Sequence, residues 1–170
     1  MADFGQATKQ QTESFDDLEG KYLIFNLGTE EYGIGILKIK EIISMHPITP
    51  VPQTPKYVKG VINLRGKVIP VTDLRMRFGM EAIEYTPQTC IIVVEMDGQA
   101  GKGLIGVVVD SVSEVLNIKG TEIQNTPAFG FNLDTQFILG MAQKDGGVKI
   151  LLEIDRVLDA EQIPLNGDTH

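Results

Sequence analysis

Apolar positions along the chain come in short β-branched and aliphatic runs punctuated by Gly and Pro, the spacing of strands rather than of long helices. Tyr32-Gly33-Ile34-Gly35-Ile36 alternates strictly, and Val148, Ile150, Leu152 and Ile154 fall on every second residue. Further strands are predicted over residues 21–27, 61–64, 67–71, 89–96, 104–109 and 137–142. Pro70 lacks a ladder donor, which predicts an edge strand or a bulge there. Helical signal is local. Asp73 precedes Leu74 and Phe78 at i, i+4, with Gly79 as a stop; residues 154–163 read the same way, with Leu158 four after Ile154 and Pro164 beyond the end. Each short helix directly follows a strand run. Residues 1–19 and 164–170 carry no period and are expected to be flexible tails.

The pattern occurs twice. Residues 58–68 align with residues 138–148, so that Gly60, Gly66 and Val68 coincide with Gly140, Gly146 and Val148. Upstream, the stretch from Gly35 to Glu41-Ile42-Ile43 aligns with that from Gly106 to Glu114-Val115-Leu116 once two residues are inserted. A duplicated all-β lobe follows, with a first lobe over 20–85, a second over 86–160, and terminal segments open to exchange between them. A five-stranded sheet of this size must cover its edges, and closing into a barrel does so. Two barrels side by side leave a groove in which a partner can bind.

Composition narrows the function classes. At 170 residues with 42% hydrophobic and 22% charged positions, the chain is an ordinary globular domain. A net charge of -8 disfavours nucleic acid and anionic membrane as partners. Cys90 is the only cysteine, so no intrachain disulfide and no four-cysteine zinc site can form. No basic-then-apolar leader opens the sequence, and no apolar run approaches the roughly 20 residues of a spanning helix. The expectation is a cytoplasmic protein with no membrane insertion.

Catalytic chemistry finds no foothold. Gly101-Lys102-Gly103-Leu104-Ile105-Gly106 fits a dinucleotide fingerprint, but Val107-Val108-Val109 follows it where a helix N-terminus is needed, so a hairpin is expected instead. His46 and His170 are the only histidines, and no nucleophile-elbow, zinc-protease or phosphate-loop motif occurs. Asp16-Asp17 and Glu30-Glu31 are adjacent pairs, whose side chains diverge on a strand. Cys90 opens an apolar strand and reads as a small buried hydrophobe. No catalytic, cofactor-binding or metal residue is predicted, which leaves interaction as the function.

Three blocks carry a family resemblance. The first is Leu23-Ile24-Phe25-Asn26-Leu27-Gly28-Thr29-Glu30-Glu31-Tyr32-Gly33-Ile34 with Ile36-Leu37-Lys38-Ile39-Lys40-Glu41-Ile42. The second is Pro55-Lys56-Tyr57-Val58-Lys59-Gly60-Val61-Ile62-Asn63-Leu64-Arg65-Gly66-Lys67-Val68-Ile69-Pro70-Val71-Thr72-Asp73-Leu74-Arg75, and the third Gly106-Val107-Val108-Val109-Asp110-Ser111-Val112-Ser113-Glu114-Val115-Leu116. Together they resemble the bacterial chemotaxis coupling proteins of the CheW family, over about residues 20–163. The resemblance implies two SH3-like five-stranded barrels, no catalysis and no cofactor. It implies a scaffold that is monomeric in dilute solution and is recruited to receptor arrays, where it bridges methyl-accepting chemoreceptor tips to the regulatory domain of the histidine kinase CheA.

By the same resemblance, the receptor contact lies in the groove between the lobes. It uses Ile39 of the first lobe with Gly106, Val112 and Val115 of the second, and a Glu41–Arg65 salt bridge fixes the groove edge. The kinase contact falls on the proline-stiffened 47–59 stretch, with Pro52, Pro55, Tyr57 and Lys59, and on Phe129 of the second lobe, for which Phe131 is a rival. Two alternatives stand beside this reading: a scaffold of a related non-chemotactic receptor-kinase array, and a double barrel that binds a small ligand between its lobes.

Overall fold

In the computed structural model, which describes residues 17–98, 101–125 and 135–158, the apolar runs form two sheets. The strands are β1 (Gly20–Leu27), β2 (Glu30–Gly35), β3 (Ile39–Ser44), β4 (Val58–Leu64), β5 (Lys67–Asp73) and β6 (Cys90–Gly98), then β7 (Gly101–Val109), β8 (Ser111–Ile118), β9 (Ile123–Gln124), β10 (Ile138–Lys144) and β11 (Gly147–Leu152). Helix α1 (Leu74–Arg77) follows β5 and helix α2 (Ile154–Val157) follows β11. Asp73 caps α1, its carboxylate accepting from the Met76 N–H, and Gly79 ends the turn at φ 78°.

One sheet has the order β3-β6-β7-β5-β4 and the other β8-β1-β2-β11-β10-β9. The first five positions correspond strand for strand, each with one parallel pairing, β5 with β7 and β11 with β2. Even the sixth strand has a counterpart: β9 pairs Ile123 with Ala142, and on the other side Thr49 makes an isolated bridge to Val61. The chain is therefore all-β, built from two barrel-like halves of matching strand order. Sheet membership does not follow chain halves. β1 and β2 join strands from the C-terminal part, whereas β6 and β7 join β3, β4 and β5.

The repeated glycines explain themselves. Arg65 and Gly66, at φ 51° and 88°, form the two left-handed positions of the β4–β5 turn, and Asp145 with Gly146, at 56° and 79°, does the same between β10 and β11. Upstream in each hairpin the register slips, at Val58/Gly60 and at Ile138/Gly140. A Cβ on Gly60 would fall 2.1 Å from the Thr49 carbonyl oxygen and one on Gly140 2.7 Å from Ile123 Cγ2, so the bridging strand passes where only glycine leaves room.

For Pro70 the edge expectation is corrected, while a bulge does lie beside it, at Val58/Gly60 on the facing strand. β5 lies between β7 and β4 and is not an edge. Pro70 is tolerated because it faces Val61, whose N–H and carbonyl both bond Thr49 on the far side, and because pairing to β7 starts only at Val71.

Three apolar layers result. Ile62, Leu64, Ile69, Val71, Ile91, Val93 and Val108 fill the five-stranded half. Tyr22, Ile24, Leu116, Ile118, Ile123, Ala142 and Leu151 fill the other. Between the sheets lies a larger shared cluster that takes Leu23, Phe25 and Leu27 from β1 and Ile92, Val94 and Met96 from β6. β1 and β6 are thus buried on both faces, which is why Leu23-Ile24-Phe25 and Ile91-Ile92-Val93-Val94 are apolar without alternation.

Candidate functional site

The two Glu-bearing segments of the repeat are strands β3 and β8, and each is the outermost strand of its sheet. Both carry a register shift at the same place. Ile39 faces Val94 and Glu41 faces Val93, so Lys40 is the extra residue; Val112 faces Phe25 and Glu114 faces Ile24, so Ser113 is. The bulge changes which side chains share a face. Ile39 and Ile42 sit across from Val94 and Ile92, and Val112 and Val115 sit across from Phe25 and Leu23, all four partners belonging to the shared central cluster. Ile39 and Val112 pack against that cluster, while Ile42 and Val115 are 44% and 49% exposed. Two apolar edges related by the internal repeat therefore border the shared central cluster, one on each sheet.

Ile42 is the residue that sequence reasoning missed. The signal was present, since the repeat aligns Glu41 with Glu114 and hence Ile42 with Val115. Gly106 behaves differently. It is buried in β7, and a Cβ there would meet Ile91 Cγ2 at 2.7 Å, so it serves the packing of the five-stranded half.

Arg65, at the left-handed first position of its turn, donates through Nη2 to Glu41 Oε2. Glu41 shares its face of β3 with Ile43, which packs into the five-stranded half, so the ion pair sits on the far side of the edge from Ile39 and Ile42. Arg65 is 69% exposed, which limits the pair to about 0–1 kcal/mol of stability.

The kinase candidates cluster on one flank. Pro52 is exposed, Pro55 and Lys59 are half-buried, and Tyr57 is half-buried against the central cluster. The Arg77 guanidinium lies 4.8 Å from the ring centroids of both Tyr57 and Phe137, and its Nε donates to the Val157 carbonyl at 2.7 Å. That arginine thereby joins α1 to α2. A cleft of about 590 Å³ opens beside this flank, lined by Ile48, Pro50, Lys59, Ile83 and Tyr85 among others. Burial, then the Asp73 carboxylate, push the Tyr85 phenol above its usual value. Phe129 lies outside the described residues.

Other chemistry stays without a site. The glycine-rich stretch 101–106 lies within β7, and β8 follows it rather than a helix. Cys90 is half-buried and burial pushes its thiol up, away from the thiolate. Among the described residues no three His, Cys, Asp or Glu side chains gather to hold a metal, and no helix is long and apolar enough to cross a membrane.

Comparison with known proteins agrees with this architecture. The model of the CheW-like domain family matches residues 21–162. Chemotaxis protein CheW of Klebsiella aerogenes is 38% identical over 145 residues, 85% of each chain. Chemotaxis protein CheW of Rhizobium meliloti is 37% identical, covering 84% of this chain and 90% of its own. The crystal structure of the scaffolding protein TtCheW from Thermoanaerobacter tengcongensis superposes with a TM-score of 0.77 at 35% identity, over 87% of this chain and 99% of that one. With its duplicated barrels, its paired edge strands and this match along nearly the whole sequence, the chain belongs to the CheW family.

Proposed function

We propose that this chain is a non-catalytic coupling scaffold that joins the cytoplasmic tips of methyl-accepting chemoreceptors to the regulatory domain of the histidine kinase CheA. Its relatives are chemotaxis proteins, and its structural neighbour is a scaffolding protein. The observation that carries the reading is the pair of apolar edges, Ile39 with Ile42 and Val112 with Val115, that border one shared cluster between the sheets. An amphipathic receptor helix laid in the seam between those edges would bury its apolar ridge against both sheets. Glu41 and Arg65 brace the outer side of the β3 edge. The 47–59 flank, with Pro52, Pro55, Tyr57 and Lys59, takes the kinase, and Phe129 takes it through the second lobe by resemblance alone. Individually weak contacts suffice in an array, because micromolar binding is only about 8 kcal/mol and neighbours raise the effective concentration.

The test is CheA autophosphorylation in membranes carrying a cognate chemoreceptor, with and without this protein. Attractant-sensitive stimulation is expected. No stimulation by folded protein, with receptor and kinase shown to be active, returns the lobe interface to the small-ligand reading.

A further inference from the structure

Asp110 stands where the chain leaves the five-stranded sheet and enters the six-stranded one, one residue before β8 begins. Its carboxylate accepts Arg75 Nε at 2.8 Å, Arg75 Nη2 at 2.9 Å and the Gly28 N–H at 2.8 Å. Its own N–H donates to the Asn26 carbonyl at 3.1 Å. Arg75 belongs to α1, behind β5 of the five-stranded sheet, and its Nη1 donates to the Glu81 carbonyl at 3.0 Å. Asn26 lies in β1 and Gly28 in the β1–β2 turn, both of the six-stranded half. One carboxylate therefore ties both halves and the strand that crosses between them.

The geometry is demanding. A two-pronged guanidinium–carboxylate pair fixes distance and orientation together, which a lysine cannot do. The side chains of Arg75 and Asp110 are only 14% and 21% exposed, so water competes little for either. Ser111 follows Asp110 directly, and the apolar edge of Val112 and Val115 begins one residue later, whereas the Ile39–Ile42 edge belongs to the sheet that carries Arg75.

We propose that the Arg75–Asp110–Gly28 clamp sets the spacing between the β3 and β8 edges and so positions the seam for the receptor helix, an inference that rests on the receptor reading above. Arg75 and Asp110 are positioning residues; neither touches the partner.

The experiment compares wild type, Asp110→Asn and the milder Arg75→Lys in a Cys90→Ser background, with spin labels at Lys67→Cys and Gln143→Cys, one exposed site on each half. Wild type is expected to give one narrow distance distribution. The folded variants are expected to broaden or shift it, and to lose at least tenfold in receptor-dependent kinase stimulation. Binding to the isolated CheA regulatory domain is expected to stay within about twofold, a split that simple loss of folded protein would not produce. An unchanged distance distribution in a folded variant overturns the clamp. A changed distribution with normal coupling overturns its link to the receptor. If wild type itself fails to couple, the receptor reading falls, while the distance measurement still decides whether the clamp holds the halves in register.

Discussion

Ile42 and Val115 hold the same place in two different sheets, each on the outermost strand, each across from a residue of the shared core and each close to half exposed. Because both side chains already meet water, Ile42→Lys and Val115→Lys are each expected to shift folding stability by no more than about 0.5 kcal/mol. Receptor-dependent kinase stimulation is expected to fall at least tenfold for either, about 1.4 kcal/mol of binding. Urea melts and the reconstituted kinase assay check the two halves of this statement. Normal coupling by one variant removes that edge from the receptor surface.

Arg65 separates backbone from side chain in a single position. Its φ of 51° suits asparagine, so Arg65→Asn keeps the turn while deleting the guanidinium that reaches Glu41. Both Arg65→Asn and Arg65→Ala are expected to stay folded. Arg65→Ala loses about 1 kcal/mol at most from the exposed pair, plus a turn penalty that Arg65→Asn avoids. Receptor coupling is expected to drop equally in both. A drop in Arg65→Ala alone would assign the effect to the turn and not to the ion pair.

Gly60 and Gly106 are expected to resist alanine for different reasons. At Gly106 the added methyl would press on Ile91 Cγ2, a side chain that can yield, for a cost of about 1–3 kcal/mol. At Gly60 it would strike the Thr49 main chain at φ 143°, so the Thr49–Val61 bridge must break and the loss is expected to be larger. Urea midpoints rank the two. A milder effect at Gly60 would mean that the 47–55 stretch is not held against β4.

Acid stability should carry the signature of Asp110. Burial pushes its carboxyl up, but the hydrogen bonds from Arg75 and the Gly28 N–H outweigh that and hold it below the usual aspartate value. A lowered folded value means that the unfolded chain takes up the proton first. The stabilisation is therefore complete above the unfolded value, about pH 3.9, and is lost as pH falls through the folded one. Asp110→Asn is expected to cost about 2 kcal/mol at pH 7 and to flatten the fall in stability at lower pH. Urea midpoints across that range decide it, and an unaltered acid slope would assign the loss to other carboxylates.

The sequence was most legible where one physical constraint spoke alone. Alternation marked β2 and β11, and the Asp73 start with its Gly79 stop marked α1. The glycines of the repeat pointed to paired hairpins because a left-handed turn and a crowded crossing each exclude side chains at particular positions. β3 and β8 were harder, since a bulge in each breaks the two-residue period that identifies a strand. Pro70 misled because a missing donor is harmless at a position with no ladder bond, a fact that only the register with Val61 reveals. The clamp left no local trace. Arg75 and Asp110 are far apart in sequence, and the Gly28 N–H that completes their contact carries no side chain to notice.

The crossed sheet membership bears on how the chain can be made. β1 and β2 leave the ribosome well before the strands they pair with beyond each other, because β8 and β11 are both made only after β3 to β7. The hairpin must wait through synthesis of the whole five-stranded half with both of its outer ladders unsatisfied, and such long-range closure slows folding. A circular permutant opened between Gly35 and Ile39, with the segment after β11 joined to the one before β1 by a flexible linker, would place each sheet in one uninterrupted stretch of chain. It would be expected to fold faster than the natural order while keeping the same seam.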